Sequence, residues 1–136
     1  MQHSITTRRQ RVLLLSALAL FCLSARAEDV VIYDGRWEVL VPKRPAIKLV
    51  IQDFAGTWQE LGKGVGSKRA ACVGRKLPIT VHESSSAELE FTVWGTEVAA
   101  ACPNLTIALK PVDNRTLEGT VDDAQPIRIR RQTPFR

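Results

Sequence analysis

The sequence predicts a small all-β domain, an antiparallel β-barrel or β-sandwich of about eight short strands with one disulfide. Three observations lead to this fold class. Apolar and polar residues alternate in most segments after residue 28, as in strands that bury one face. Residues that favour turns separate these segments at short intervals. Two cysteines, Cys72 and Cys102, remain to form a bridge once a cleavable N-terminal segment is removed.

That N-terminal segment, residues 1–27, has the three parts of a signal peptide. Arginines between residues 8 and 11 form a basic start, and residues 12–23 form an apolar run. The sequence Ala25-Arg26-Ala27 then gives a small-x-small cleavage pattern. The alternative, a membrane anchor, is disfavoured because about 20 apolar residues are needed to cross a bilayer. We therefore expect an exported bacterial protein, periplasmic or secreted, with a single domain at residues 28–136.

Cleavage changes the electrostatic interpretation, since it removes Arg8, Arg9, Arg11 and Arg26. The whole chain has 19 basic and 14 acidic residues, a formal net charge of +5. The expected mature domain keeps 15 basic residues and all 14 acidic ones, a net charge of about +1. So small a charge gives no global argument for a nucleic-acid partner. We also expect no cofactor and no stable membrane insertion after cleavage.

The predicted strands follow one another along this domain. Asp34-Gly35 suits a type I′ turn between strands at residues 30–33 and 36–41. The prolines at 42 and 45 end the second of these strands, because proline cannot donate a hydrogen bond to a sheet. Further strands are predicted at 47–52, 57–61, 77–82, 88–94, 105–109, 117–121 and 127–129.

Cys72 and Cys102 are expected to form a disulfide. Two cysteines in an oxidising compartment most simply pair with each other. The bridge closes a loop of about 30 residues, which contributes roughly 3–4 kcal/mol in the chain-entropy model. This is a large share of the total stability of so small a domain.

Residues that carry chemistry are sparse. His82 is the one histidine of the expected domain and the one general base of the usual kind, but Ser84 and its neighbours belong to a predicted turn. Glu88 and Glu90 share a strand face, as the paired carboxylates of a glycosidase do, yet outward glutamates are usually solvated. One histidine and two oxidised cysteines do not supply a closed zinc site. We predict no catalytic site, no metal site and no enzymatic activity.

Gly56-Thr57-Trp58 resembles the Gly-x-Trp motif that opens calycins, the lipocalin and avidin group of small β-barrels. In that family the tryptophan closes one end of the barrel, and an arginine from a late strand packs over its ring. The resemblance implies this role for Trp58, with Arg128 or Arg130 as the arginine. It also implies an internal ligand cavity. Two or three predicted strands precede Gly56, whereas the calycin motif lies at the start of the fold.

A glycine-rich loop at residues 62–76 is the most distinctive local feature. It has no acidic residue and five basic ones, which are Lys63, Lys68, Arg69, Arg75 and Lys76. Its glycines permit backbone conformations that present N–H groups to an anion, although the spacing is not that of a P-loop. We interpret it as a candidate contact surface for an anionic partner, with a soluble connector as the alternative.

Two functions remain open from the sequence. The first is an exported non-enzymatic binding protein that holds a small ligand in a barrel cavity or a protein partner on its surface. The second is a periplasmic inhibitor or immunity protein directed at a hydrolase. A large internal cavity favours a small ligand, whereas a filled interior together with a projecting 62–76 loop favours the inhibitor. Asn104 and Asn114 lie in glycosylation sequons, which matter only in a eukaryotic secretory pathway.

Overall fold

The chain forms a closed barrel of eight antiparallel strands. A computed structural model describes residues 30–62 and 71–133, so the expected signal peptide lies outside the described residues. The strands are β1 (Gly35–Leu40), β2 (Ile47–Gln52), β3 (Ala55–Glu60), β4 (Leu77–Ser84), β5 (Leu89–Val93), β6 (Leu105–Pro111), β7 (Thr116–Val121) and β8 (Gln125–Arg131). Each strand pairs with the next along the chain, and β8 returns to pair with β1. The predicted all-β class is confirmed, with a barrel instead of a sandwich.

Alternation along the strands fills the interior of the barrel. In β2 and β6 every second residue is buried, while the residues between them face outward. The largest fully buried side chains are Trp37, Trp58 and Phe91. No polar or charged residue is buried in the part of the chain that the structure describes. Side chains alone can fill an eight-stranded barrel, and here the inward rows are apolar and large.

Two glycines allow neighbouring strands to approach where the barrel wall curves. A Cβ atom on Gly56 would lie 1.8 Å from the carbonyl oxygen of Val50, and one on Gly119 would lie 1.8 Å from that of Ala108. Neither position has room for a side chain, so both glycines serve wall curvature. The close approach of β2 therefore explains why residue 56 is a glycine.

The disulfide distinguishes the two ends of the barrel. Cys72 and Cys102 are bonded, with Cα atoms 5.3 Å apart, as predicted. The bridge joins the segment before β4 to the segment before β6, at what we term the disulfide end. The opposite end holds the β2–β3, β4–β5 and β6–β7 turns and is termed the turn end.

The N-terminal segment 30–34 crosses the turn end, and the predicted hairpin at Asp34-Gly35 is wrong. Val30 forms an isolated bridge with Ser85, between β4 and β5, instead of pairing with β1. The buried Tyr33 donates a hydrogen bond from its hydroxyl to the carbonyl oxygen of Ser85 at 2.6 Å. These contacts hold the segment against the end of the barrel, so Asp34-Gly35 bends the chain into β1.

Candidate binding surface

Trp58 lies inside the barrel, toward the disulfide end. It is buried, and in the strand register it pairs with Leu49 on one side and Leu77 on the other. Its ring packs against Phe91, with ring centroids 6.2 Å apart. Its Nε1 atom is buried and has no hydrogen-bond partner in the described part of the chain. Trp58 is thus a core residue whose indole N–H makes no hydrogen bond with a described residue that stabilises the fold.

Arg128 and Arg130 do not pack over Trp58, and the structure corrects this prediction. Side chains alternate along β8, so both arginines are exposed on the outer wall while the residues between them are buried. Arg128 forms a salt bridge with Glu118 of β7. Both side chains are about half exposed, so this ion pair contributes little to stability.

An arginine packs over a tryptophan ring at a different pair, Arg131 and Trp37. The Cζ atom of Arg131 lies 4.5 Å from the centroid of the Trp37 ring. Arg131 also donates a hydrogen bond from Nη1 to the carbonyl oxygen of Asp34 at 3.0 Å. Two signals in the sequence point to this pair. Arg131 has the same strand parity as the buried Ile129, and Gly35-Arg36-Trp37 is an earlier Gly-x-Trp, on the first strand.

An open groove of about 940 Å³ lies on the outer wall beside this pair, between β1, β8 and the β6–β7 turn. We term it the arginine groove, because it is lined by Arg36, Arg115, Arg130 and Arg131. Hydrogen-bonding side chains line the remainder, and the acidic residues of the lining are Glu38 and Asp113. Four guanidinium groups against two carboxylates make the groove suited to an anionic group.

Two of these arginines are already held in place. Arg131 is fixed by Trp37 and by its bond to the backbone, and Arg115 donates from Nη2 to the hydroxyl of Thr133 at 2.6 Å. The backbone N–H of Arg115 donates to Oδ1 of Asp113 at 2.8 Å, and this bond lowers the pKa of that carboxyl below its usual value. Fixed guanidinium groups lose less side-chain entropy when they bind a carboxylate.

The other two arginines, Arg36 and Arg130, form no ion pair within residues 30–62 and 71–133. Glu38 stands opposite Arg130 in the register of β1 and β8, yet the two side chains form no salt bridge. These two guanidinium groups therefore have hydrogen bonds to offer to a partner.

The predicted basic loop contributes one described residue to this surface. Lys63, Lys68 and Arg69 lie outside the described residues, and Arg75 and Lys76 are exposed. Lys76 lines a shallower groove of about 270 Å³ together with Lys48 and Arg36. Because Arg36 also lines the arginine groove, Lys76 belongs to one continuous basic surface, whereas Arg75 lines neither groove.

The strands divide the charge of the barrel into two sides. On β8, β1, β2 and β3 there are five basic residues and two acidic ones, which are Arg36, Lys48, Arg128, Arg130, Arg131, Glu38 and Glu60. On β4 to β7 there are three acidic residues and one basic one, which are Glu83, Glu90, Glu118 and Lys110. The expected mature domain, with a net charge of about +1, thus has a basic side that a global charge count does not reveal.

Of the five large apolar residues exposed in the described part of the chain, four lie at the turn end and one, Leu40, is 37% exposed at the disulfide end. Val30, Ile32, Phe54 and Val112 are 65%, 69%, 52% and 55% exposed, and all four lie at or beside the turn end. Single exposed apolar residues are ordinary, but several at one end indicate a contact surface. This surface has no signal in the sequence, because the four residues are separated along the chain and lie in turns or in the N-terminal segment.

The histidine and the glutamates considered for catalysis lie on the outer wall. Nε2 of His82 is 2.8 Å from the hydroxyl of Thr92, and the histidine forms no ion pair with a described carboxylate. Glu90 lies in β5 and Glu88 in the turn before it. Within the described ranges no group of three or more histidine, cysteine, aspartate or glutamate residues is placed to hold a metal ion. No helix in those ranges has the length and apolar character to cross a membrane.

Three comparisons with known proteins add no relative to this picture. The chain matches no protein-family model, no curated protein and no solved structure.

Proposed function

We propose that this chain is an exported, non-enzymatic binding protein that binds a protein partner on its outer wall. The observation that carries the proposal is the filled interior, where Trp37, Trp58 and Phe91 occupy the space that a small ligand would need. Ligand pockets also contain a few polar groups that fix the ligand, whereas no polar or charged residue is buried in the described interior. The arginine groove and the exposed apolar residues lie on the outside instead.

Export is supported by the signal-like segment 1–27 and by the disulfide. Disulfides persist in oxidising compartments such as the bacterial periplasm and are rare in the cytosol. The bond between Cys72 and Cys102 therefore supports a periplasmic or secreted location.

The calycin resemblance gains support from Gly35-Arg36-Trp37. This motif lies on the first strand, and an arginine from the last strand packs over its tryptophan. We propose that the chain is a calycin-like barrel whose interior is filled by its own side chains. It would then share the architecture of that group without the internal ligand.

A direct test uses small apolar probes. We expect that titration with anilinonaphthalene sulfonate or a long-chain fatty acid gives no saturable one-to-one change in tryptophan fluorescence. Leu49→Ala is the positive control, because Leu49 pairs with both Trp37 and Trp58 and its truncation opens a buried apolar cavity. Such cavities bind benzene, so the variant should show saturable benzene binding while the natural chain does not. Stoichiometric fatty-acid binding by the natural chain would contradict the proposal.

A second candidate, an inhibitor or immunity protein directed at a hydrolase, is favoured by the arginine groove. Glycoside hydrolases carry pairs of carboxylates in their clefts, and guanidinium groups bind carboxylates in a two-pronged geometry. Assays against a panel of peptidoglycan-cleaving glycosidases test this candidate. One-to-one inhibition that is weakened by Arg130→Gln would support it, and absence of inhibition across the panel would reject it.

A further inference from the structure

The β2–β3 turn places an aromatic ring at the turn end in an unusual backbone conformation. Asp53 and Phe54 form a two-residue turn between paired residues Gln52 and Ala55, with φ angles of 51° and 61°. Such turns favour Asn-Gly or Asp-Gly, because the left-handed region suits glycine and crowds a Cβ atom. A bulky residue in this region is an outlier that the surrounding structure must maintain.

Hydrogen bonds hold this turn in place while Phe54 stays about half exposed. The backbone N–H of Val81 donates to the carbonyl oxygen of Phe54 at 2.8 Å, and the N–H of Asp53 donates to Oδ2 of Asp34 at 3.4 Å. The Phe54 side chain is nevertheless 52% exposed. About half of Phe54 thus remains exposed despite an unfavourable backbone, which favours a role for the ring beyond folding.

The turn is connected to the arginine groove through one residue. The carboxylate of Asp34 accepts a hydrogen bond from the backbone N–H of Asp53 at 3.4 Å. The carbonyl oxygen of Asp34 accepts one from Nη1 of Arg131 at 3.0 Å. Asp34 therefore connects the turn that carries Phe54 to Arg131, one of the four arginines of the groove. Aromatic and arginine residues dominate the binding energy of protein interfaces, where an apolar centre is surrounded by a polar rim.

We infer that Phe54 is the anchor of a binding surface that includes the arginine groove and that its partner is a protein presenting carboxylates beside an apolar pocket. The inference rests on the proposed function and adds the chemistry of the partner. A uniformly anionic lipid or sulfated glycan fits less well, because carboxylates on this surface repel it. Glu38 and Asp113 line the groove with the arginines, and Asp34 and Asp53 lie beside Phe54. A glycan also offers no pocket for an apolar ring.

The stability of Phe54→Gly separates binding from folding. The substitution gives the turn the Asp-Gly pair that its geometry favours, so the midpoint of thermal unfolding should be unchanged or rise by several degrees. Asp123→Gly is the matched control, because Asp122 and Asp123 of the β7–β8 turn have φ angles of 50° and 57° at the disulfide end. Both variants should keep or gain stability. A clear loss of stability in Phe54→Gly alone would show that the ring serves the fold and would overturn the inference.

Binding is measured with two labelled polymers, poly-L-glutamate and a glutamate–tyrosine copolymer. The natural chain should bind the copolymer more tightly, since only it offers apolar groups beside carboxylates. Phe54→Gly should weaken copolymer binding about tenfold or more and leave poly-L-glutamate unaffected, whereas Asp123→Gly should change neither. Equal binding of the copolymer by Phe54→Gly and the natural chain would overturn the role of the anchor.

The arginine groove is tested in the same assay. Arg36→Gln with Arg130→Gln should weaken both polymers and reduce the dependence on salt, because exposed charges act over about 8 Å at physiological ionic strength. Lys43→Gln with Arg44→Gln, exposed in the β1–β2 turn at the other end, is the control of equal charge and should change neither. Heparin or phosphatidylglycerol vesicles are the alternative ligands. If either binds more tightly than the copolymer and this binding depends on Phe54, the partner is a glycan or a lipid, and the inference of a protein partner is overturned.

The outcomes also separate this inference from the proposed function. If the polymers bind through the arginines and binding does not depend on Phe54, the proposed function stands and only the role of Phe54 as an anchor is overturned. No binding to either polymer, together with one-to-one fatty-acid binding, would overturn both.

Discussion

Replacing Trp58 by alanine is expected to lower the free energy of unfolding by about 3–5 kcal/mol, the usual cost of truncating a buried large aromatic residue. Trp58 is 1% exposed and stands between Leu49 and Leu77 in the sheet, with Phe91 against its ring. Removing the indole leaves a cavity that these neighbours fill only in part. Domains of this size have a total stability of about 5–15 kcal/mol, so the variant should be close to its unfolding threshold.

Urea denaturation followed by far-ultraviolet circular dichroism measures this loss, and Trp58→Phe is the matched control. Phenylalanine keeps an aromatic ring against Phe91 and removes an N–H group that is buried without a partner. An unpaired buried donor costs about 1–3 kcal/mol, which offsets part of the volume lost. We therefore expect Trp58→Phe to be much less destabilising than Trp58→Ala. An unchanged midpoint for Trp58→Ala would contradict the assignment of Trp58 to the core.

Removing the disulfide is expected to have the second largest effect, a loss of roughly 3–4 kcal/mol in the chain-entropy model. Cys72 and Cys102 are 30 residues apart in sequence, and they join loops on the two sides of β4 and β5. Without the bridge, the unfolded chain gains the freedom of this loop. The thermal midpoint of the natural chain should fall on addition of a reductant.

The double variant Cys72→Ala/Cys102→Ala provides the control, because its midpoint should be low and should not respond to a reductant. Intact-mass spectrometry should show a gain of two hydrogens when the natural chain is reduced. Free thiols in the untreated protein, or equal midpoints with and without reductant, would show that the bridge does not form in solution.

The strands were predictable where apolar and polar residues alternate within a short segment bounded by turn residues. β2 and β6 each alternate buried and exposed residues, and this pattern fixes a strand regardless of its partners. The disulfide followed from the two cysteines that remain after the expected cleavage, in an oxidising compartment. The segment 30–33 was assigned to the wrong partner, because its composition suits a strand that pairs with its neighbour and equally a segment that crosses the barrel end.

The binding surface was harder to predict, because it depends on pairing between strands that are distant in sequence. Arg36 reaches the arginine groove since β8 closes on β1, where the backbone N–H of Gln132 donates to the carbonyl oxygen of Arg36 at 2.9 Å. Side chains alternate along β8, so Arg131 lies on the inner side of the strand. Arg128 and Arg130, the predicted partners of the tryptophan, face outward. The unusual conformation of Phe54 has no signal in the sequence at all, since Asp-Phe is not a favoured turn pair.

The pairing of β1 with β8 has a consequence for how the chain folds. Every other pairing in the barrel joins strands that follow each other directly, so it closes a much shorter stretch of chain at a smaller entropic cost. The β1–β8 pairing joins the two ends of the barrel sequence and must form late, which makes ring closure the expected slow step. Until then β1 is an unpaired edge, and its outward residues Arg36 and Glu38 are charged. Charged side chains on an edge discourage pairing with another chain, so they protect the unfinished sheet from aggregation while the final strand is still missing.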